Sequence, residues 1–416
     1  MKVMIVGAGI GGLTTALMLH KRGITAEIYE QSPVIRELGV GINTLPHAIG
    51  ELAELGLLPA LDAVAVRTRE LMYLNRQGQE VWRELRGTWA GHDVPQFSIH
   101  RGRLQKVLHD AVIDRLGPDA IRTGCSLAGF MQDEGGVTAY FNDSRRGGPG
   151  HTARGDVLIC ADGIHSVARR YFYPNEGVPR WNGILMWRGA ADWPVWLDGQ
   201  SMAIGGGMGA KFVLYPIAPA ENGRQLTNWV ICIKAADAAV SPPPKESWSR
   251  PASHAQVLPY ARRFTIPGFD CEALVEATEQ IFEYPMCDRD PLPRWSFGRV
   301  TLLGDAAHPM YPVGSNGASQ AILDARCLAD RLKHANHPQQ ALYEYEKERL
   351  PKTAEIVRQN RSGGPERVID EVEKRAPGGF ENVDDVLSHA DRQAIVRGYA
   401  NLAGFAPEQI RKASGA

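Results

Sequence analysis

Three short segments carry residues whose types and spacing suit one phosphate-bearing cofactor. In Gly7-Ala8-Gly9-Ile10-Gly11-Gly12, the residues Gly7, Gly9 and Gly12 keep the G-x-G-x-x-G spacing. The first glycine permits a tight turn, the second lets a pyrophosphate approach the backbone, and the third lets a helix pack closely on a strand. The helix that opens there points unpaired N–H groups and a partial positive charge at the pyrophosphate. Glu30 follows eighteen residues after Gly12, where a carboxylate can accept both hydroxyls of an adenosine ribose and would repel a 2′-phosphate. These residues indicate a dinucleotide and leave FAD and NAD both open.

The second segment is Gly304-Asp305-Ala306-Ala307-His308, followed by Pro309, Pro312, Gly314 and Gly317. A carboxylate after a buried strand can bind a ribityl hydroxyl, and the N–H groups of a helix opening near Gly317 and Ala318 can face an electron-rich ring edge. An N-cap aspartate before a proline-bent loop would give the same letters. The third segment, over 156–166, delivers Asp162 to a glycine turn at Gly163, which Asp-Gly explains locally as well.

Elements that position these residues are legible. A β-branched and apolar run at 3–6 stops at glycine as a buried parallel strand does, then Leu13, Ala16, Leu17 and His20 recur at helical spacing up to Gly23. With a strand over 26–30 this is the crossover unit of a doubly wound sheet. Residues 70–85 read as a hairpin around Asn75 to Gly78 with one wet face, and 101–115 as a helix. Strands are expected over 137–141, 157–160 and 300–303, a polar loop over 144–150, and a helix over 317–335. Between 181 and 285 the pattern is β-rich, with strands over 211–217 and 227–234 and a Pro/Ser-rich loop over 241–254. After Gly363 the tail holds amphipathic pieces over 366–375 and 383–399 whose charges read as a solvated face.

At 416 residues the chain exceeds the size at which one core stops growing, so two or three packed units are expected. Lys plus Arg at 46 against Asp plus Glu at 47 gives a net charge of -1, which leaves no basic surplus for a nucleic acid or an anionic membrane. Six scattered cysteines lack C-x-x-C or knuckle spacing, so no metal site is expected and the thiols read as reduced, in a cytoplasmic protein. No stretch supplies an apolar membrane span, and the start of the chain reads as structure because its glycines interrupt any signal-like run. A monomer or homodimer is expected.

In order along the chain, the glycine fingerprint, Arg36 with Leu38-Gly39-Val40-Gly41, His100-Arg101 with Leu104, the Asp162-Gly163 segment and Gly304-Asp305-Ala306-Ala307-His308 resemble the single-component flavoprotein aromatic hydroxylases, the group A monooxygenases with the p-hydroxybenzoate hydroxylase-like fold. The resemblance covers about residues 1–360. The segments 184–189, 284–293 and 310–320 look most similar to its phenazine-hydroxylase branch, that of pyocyanin biosynthesis. It implies an α/β fold: a Rossmann-like FAD-binding domain (1–68, 99–180 and 286–340), a second antiparallel β-sheet substrate domain (69–98 and 181–285) and a helical C-terminal region (341–416). It further implies that Gly7, Gly9, Gly12 and Glu30 hold the adenosine diphosphate half, with Arg36 and Gly41 beside it. Arg101 would take the pyrophosphate or ribityl chain, Asp305 the ribityl, and the backbone of Gly314, Gly317 and Ala318 the flavin ring. Asp162 is linked in the family to both FAD and the nicotinamide. Pro312 would face the substrate through its carbonyl.

The implied reaction uses NADH or NADPH as a transient co-substrate, since only one dinucleotide fingerprint is visible, and O2, with a flavin C4a-hydroperoxide hydroxylating an electron-rich aromatic or N-heteroaromatic ring. The protein must supply orientation and a dry cavity. Trp187 and Trp229, with Tyr215, are candidates for an apolar slot, though filling the core beneath the antiparallel sheet is the commoner role for any single one of them. Arg188, Lys211 and Arg69 are possible anchors for a carboxylate, Tyr215 for a phenol or ring nitrogen, and His308 a possible proton relay. Two rivals remain: a dehydrogenase, oxidase or halogenase of the same fold, and a binding protein that has lost the flavin. The W-x-W-x-I-P signature of halogenases is absent, Trp193-Pro194-Val195-Trp196 being the nearest stretch.

Overall fold

The computed structural model describes residues 1–37, 39–235 and 250–414, with side chains to residue 410. Its first sheet has six strands in the spatial order Ser296–Phe297, Val300–Leu302, Val157–Cys160, Lys2–Val6, Thr25–Glu30, Ile121–Thr123. All neighbours run parallel except the edge strand Ser296–Phe297. Lys2–Val6 lies at its centre because Val3, Met4 and Ile5 are apolar and covered on both faces. The helix Ile10–Lys21 packs Leu13 and Leu17 into one core with Ile322 and Leu328 of the helix Gly317–His334 and Leu104 of the helix Arg101–Leu116. Gly23, at φ 75, ends the first helix by donating its N–H to His20 O at 2.9 Å.

A three-stranded sheet, Cys125–Asp133, Gly136–Asp143 and Pro149–Gly155, packs on a face of the first sheet against its inner strands, with Phe141 stacked on Tyr29 at 4.4 Å. The polar loop expected over 144–150 is shorter, because Pro149 already opens the third strand.

The second large sheet has eight strands in the order Pro251–Ala252, Ile281–Asp288, Arg180–Pro194, Arg224–Lys234, Ala210–Pro216, Ser201–Gly205, Glu70–Leu74, Glu80–Leu85. It is antiparallel apart from the parallel pair Ser201–Gly205 with Glu70–Leu74, which the pattern had not indicated. Successive side chains alternate between two covered faces. One face packs Phe212, Trp229 and Ile231 against Val257 of the helix His254–Ala261 and Leu274 of Cys271–Glu276. The other packs Tyr73 and Ile204 against Val368 and Val396 of the tail helices Arg367–Arg375 and His389–Ala403. The wet face expected for 70–85 holds only on the edge strand, where Glu80, Arg83 and Leu85 are exposed; all five residues of Glu70–Leu74 are buried, because the tail packs on Leu71 and Tyr73 while Met72 and Leu74 join the core on the opposite face. The expected loop over 241–254 lies mostly outside the described residues; its end forms Pro251–Ala252 and opens the helix at His254.

Candidate functional site

Each glycine of the first turn has a different neighbour. Gly7, at φ 101, donates its N–H to Tyr29 O at 2.8 Å, and a Cβ there would fall 2.5 Å from Ala161 O. A Cβ at Gly12 would fall 1.9 Å from Gly7 O, so strand and helix touch there. At Gly9 a Cβ would meet nothing within 4 Å, because that backbone faces a cavity of about 680 Å³.

Glu30 stands in the wall of that cavity at the end of its strand. Its Oε2 accepts from Ala8 N at 2.7 Å and its Oε1 from Ser32 N at 2.7 Å, which fixes the carboxylate while each oxygen keeps a further lone pair. Asp162 lines the same cavity. Its Oδ2 accepts from Val167 N at 2.8 Å, while Oδ1 is buried without a partner, and burial pushes its carboxyl above the usual range. A buried acceptor left unmatched in a cavity wall calls for a donor from whatever fills the cavity.

Asp305 and Arg101 face the cavity farther along, open to it yet deep in the protein. Burial raises the pKa of Asp305, opposed by His308 and Arg101; burial lowers that of Arg101, opposed by Asp305. Each charge is thus the other's counterpart across the gap. Arg36 lines the mouth. Gly41, which opens the short strand Gly41–Thr44, packs against the second large sheet: its N–H donates to Asn228 Oδ1 at 2.8 Å, its carbonyl accepts from Arg188, and a Cβ would fall 2.6 Å from Tyr215 Cε2.

At the far end the second sheet presents Met186, Arg188, Val213, Tyr215 and Val230 to the cavity. The guanidinium of Arg188 also pairs with the hydroxyls of Tyr215 and Tyr284, and its Nε is buried without a partner. Burial raises the pKa of Tyr215, so its phenol stays protonated. Pro312, Gly314, Gly317 and Ala318 close one side. The N–H groups of Gly317 and Ala318 precede the first backbone bond of their helix, Gln320 N to Asn316 O at 2.8 Å, and these two residues line the cavity with no intrahelical partner for their N–H.

Three expected site residues are corrected. Trp187 and Trp229 lie on the opposite face of the sheet, because neighbours in a strand alternate: Arg188 and Val230 take the cavity side. Trp187 donates to Glu283 Oε2 and Trp229 to Thr278 Oγ1, each at 2.8 Å, as buried indoles must. His308 is buried behind the wall, its Nε2 2.5 Å from Asp324 Oδ2, and does not line the cavity; it braces the turn that carries Asp305. Of the possible anchors, Arg69 is on the surface with Asp198 at 2.9 Å, while Lys211 is buried in the cavity wall and paired with Glu366.

A tail that covers the slot, a subunit contact and an ordinary surface helix were all compatible with the sequence, which did not say which tail residues enter the cavity. Pro365, Glu366, Val396, Ala400 and Phe405 line the cavity, and Glu366 is buried instead of solvated. The i, i+4 pair Val396 and Ala400 was the available signal, but helical spacing does not say which surface it meets.

One cavity that joins a glycine turn and a ribose-type acid to a second acid, a helix N-terminus and an apolar slot defines an FAD-dependent monooxygenase that draws on NAD(P)H and O2. The chain belongs to the FAD binding domain family, whose model matches residues 1–360. It is 44% identical over 363 residues to phenazine 1,6-dicarboxylic acid hydroxylase PhzS of Lysobacter antibioticus, covering 86% of this chain and 89% of that one. It is 31% identical over 366 residues to 3-hydroxybenzoate 6-hydroxylase 1 of Aquipseudomonas alcaligenes, covering 85% and 86%. Among solved structures, Klebsiella pneumoniae HpxO complexed with FAD and uric acid shares the fold at a TM-score of 0.75 and 23% identity, covering 98% of each chain.

Proposed function

We propose that this enzyme hydroxylates a small electron-rich aromatic or N-heteroaromatic ring held at the apolar end of the cavity. The observation that carries the proposal is the continuity of that cavity from Glu30, past Asp162 and Asp305, to Tyr215 and Pro312. The relatives named for phenazine 1,6-dicarboxylic acid and 3-hydroxybenzoate support a flat, acidic ring as substrate.

In this reading Gly7, Gly9 and Gly12 bring the backbone against the pyrophosphate and Glu30 accepts the adenosine ribose hydroxyls, with Arg36 and Gly41 alongside. Asp162 Oδ1 takes a hydroxyl donor, Asp305 the ribityl chain, and Arg101 the neighbouring negative charge. The backbone of Gly314, Gly317 and Ala318 meets the ring edge. When bound, FAD supplies hydride acceptance from NAD(P)H and activation of O2, so that one oxygen atom enters the substrate and the other leaves as water. Tyr215 and Arg188 orient a substrate oxygen or ring nitrogen by donating hydrogen bonds, and the Pro312 carbonyl lies over the reacting ring. Met186, Val213, Val230 and the tail's Val396 keep water out.

The division into an FAD-binding domain (1–68, 99–180, 286–340), a substrate domain (69–98, 181–285) and a tail (341–416) belongs to the same proposal. So does a cytoplasmic monomer or homodimer; among the described residues no helix is long and apolar enough to cross a membrane. The test follows NAD(P)H oxidation with and without phenazine-, quinoline-, salicylate- and aminobenzoate-like compounds, together with product mass. Substrate-stimulated turnover and a product heavier by one oxygen are expected. Stimulated turnover with no oxygen gained would transfer the assignment to a dehydrogenase or oxidase, and a colourless protein that takes up no FAD to a binding protein.

A further inference from the structure

Resting on the reading above, we propose that Tyr399, on the tail helix His389–Ala403, is a positioning residue for the flavin-facing loop 312–318, so that the tail completes the active site instead of merely covering it.

The loop is held in a conformation that its sequence does not favour. Gly314 sits at φ 65 and Ser315 at φ 58, the left-handed region that a serine enters only when its surroundings impose it. Those surroundings converge on one phenol. The Tyr399 hydroxyl donates to Asn360 Oδ1 at 2.6 Å, has the Val313 carbonyl beside it at 3.3 Å, and accepts from Asn316 Nδ2 at 2.9 Å. Asn316 spends its second N–H on Gly314 O at 3.0 Å, and its Oδ1 accepts from Gln320 Nε2 at 3.1 Å. Asn360 donates to Tyr311 O at 3.0 Å, so the loop is tied on both flanks. The ring itself fills the space at Gly314, where a Cβ would fall 2.4 Å from Tyr399 Cε1.

A buried phenol needs partners, and core packing alone would be satisfied by one. Here all of them belong to the loop or to the residues that hold it. Burial keeps the phenol protonated far above neutral pH, so it remains a donor throughout the working range. The same loop carries the backbone donors at 314–318 that face the ring edge. Donors fixed there favour the negative charge gained on reduction, and a loosened loop would favour it less.

The test is Tyr399→Phe in the full-length holoenzyme, which keeps the ring against Gly314 and removes only the hydroxyl. We expect FAD affinity within about twofold of wild type, a bound flavin with an altered visible spectrum and a more negative reduction potential, and about fivefold less product per NAD(P)H consumed, the scale of one hydrogen bond. Asn360→Leu, which removes the acceptor from a different helix, should move spectrum and potential the same way. Wild-type spectrum, potential and coupling in both variants would overturn the inference even if both melt earlier, since lower stability is all that a packing role predicts. Failure of the wild type to bind FAD or insert oxygen would strike the proposed function itself, which the variants leave untouched.

Discussion

Glu30 and Asp305, far apart in the sequence, stand in the wall of one continuous cavity. The parallel pairings of Lys2–Val6 with Thr25–Glu30 and with Val157–Cys160, and of Val157–Cys160 with Val300–Leu302, bring the ends of these strands to one edge of the sheet. One extended molecule can therefore touch both acids. Asp305→Ala is expected to weaken FAD binding about tenfold or more, the worth of a hydrogen bond to a charged group, while Tyr215→Phe leaves it near wild type. FAD titration by fluorescence quenching measures both, and equal affinity in the two variants would detach Asp305 from the cofactor.

Gly9→Ala and Gly12→Ala separate binding from folding. The Cβ at Gly9 enters open cavity, so the apoprotein should melt within a degree or so of wild type while FAD uptake falls steeply. The Cβ at Gly12 would lie 1.9 Å from Gly7 O and must push helix from strand, so Gly12→Ala should lower the melting temperature before any cofactor is added. Thermal scans of apoprotein paired with flavin titrations decide it. An unstable Gly9→Ala or a stable Gly12→Ala contradicts the geometry.

Lys211 and Glu366 form a buried ion pair between the second sheet and the tail. Burial alone would lower the lysine pKa, but Glu366 outweighs it and the ammonium is held charged. Lys211→Met leaves a buried carboxylate alone and should cost about 3–5 kcal/mol, whereas the double change Lys211→Met with Glu366→Leu should recover most of that. Urea denaturation of the two proteins supplies the comparison; equal losses would show that the pair is not coupled.

Asp370 lies beside this pair, its Oδ1 accepting from Met208 N at 2.9 Å, and its pKa is raised to about 6, mainly by burial. The folded protein therefore holds this proton more tightly than the unfolded chain, whose value is near 3.8. Its stabilising contribution is complete below about 3.8 and declines as the pH rises through about 6. Asp370→Asn keeps the acceptor for Met208 and should flatten the stability profile across that window, leaving the variant roughly 1–2 kcal/mol better off than wild type at pH 8, a figure reduced for partial solvent screening. Parallel profiles for the two proteins from pH 4 to 7 would refute the shift.

The sites that a local pattern can encode were readable. A glycine turn between a buried strand and a helix, an acid eighteen residues later and an acid after the strand that ends at Leu302 are each specified by neighbours within a few residues, and steric rules leave little choice there. The second sheet was recognisable as β-rich for the same reason. Which of its faces held the cavity was not, because alternation says that Arg188 and Trp187 point apart and is silent on which side is hollow. The tryptophans became core and the arginine became wall only once the helices His254–Ala261 and Cys271–Glu276 had covered one side.

The tail shows the limit most plainly. Its amphipathic spacing announced helices and nothing about their destination, since an apolar stripe fits any apolar surface of the right width. Tyr399 reaching Gly314, Glu366 reaching Lys211 and Val396 closing the slot all depend on contacts between distant segments, whose geometry exists only after the chain has packed. From the linear order alone came the glycine turn and the acids Glu30 and Asp305, because backbone sterics act over a few residues. The walls and closure of the cavity were settled by packing, because shape complementarity between remote surfaces is a property of the folded whole.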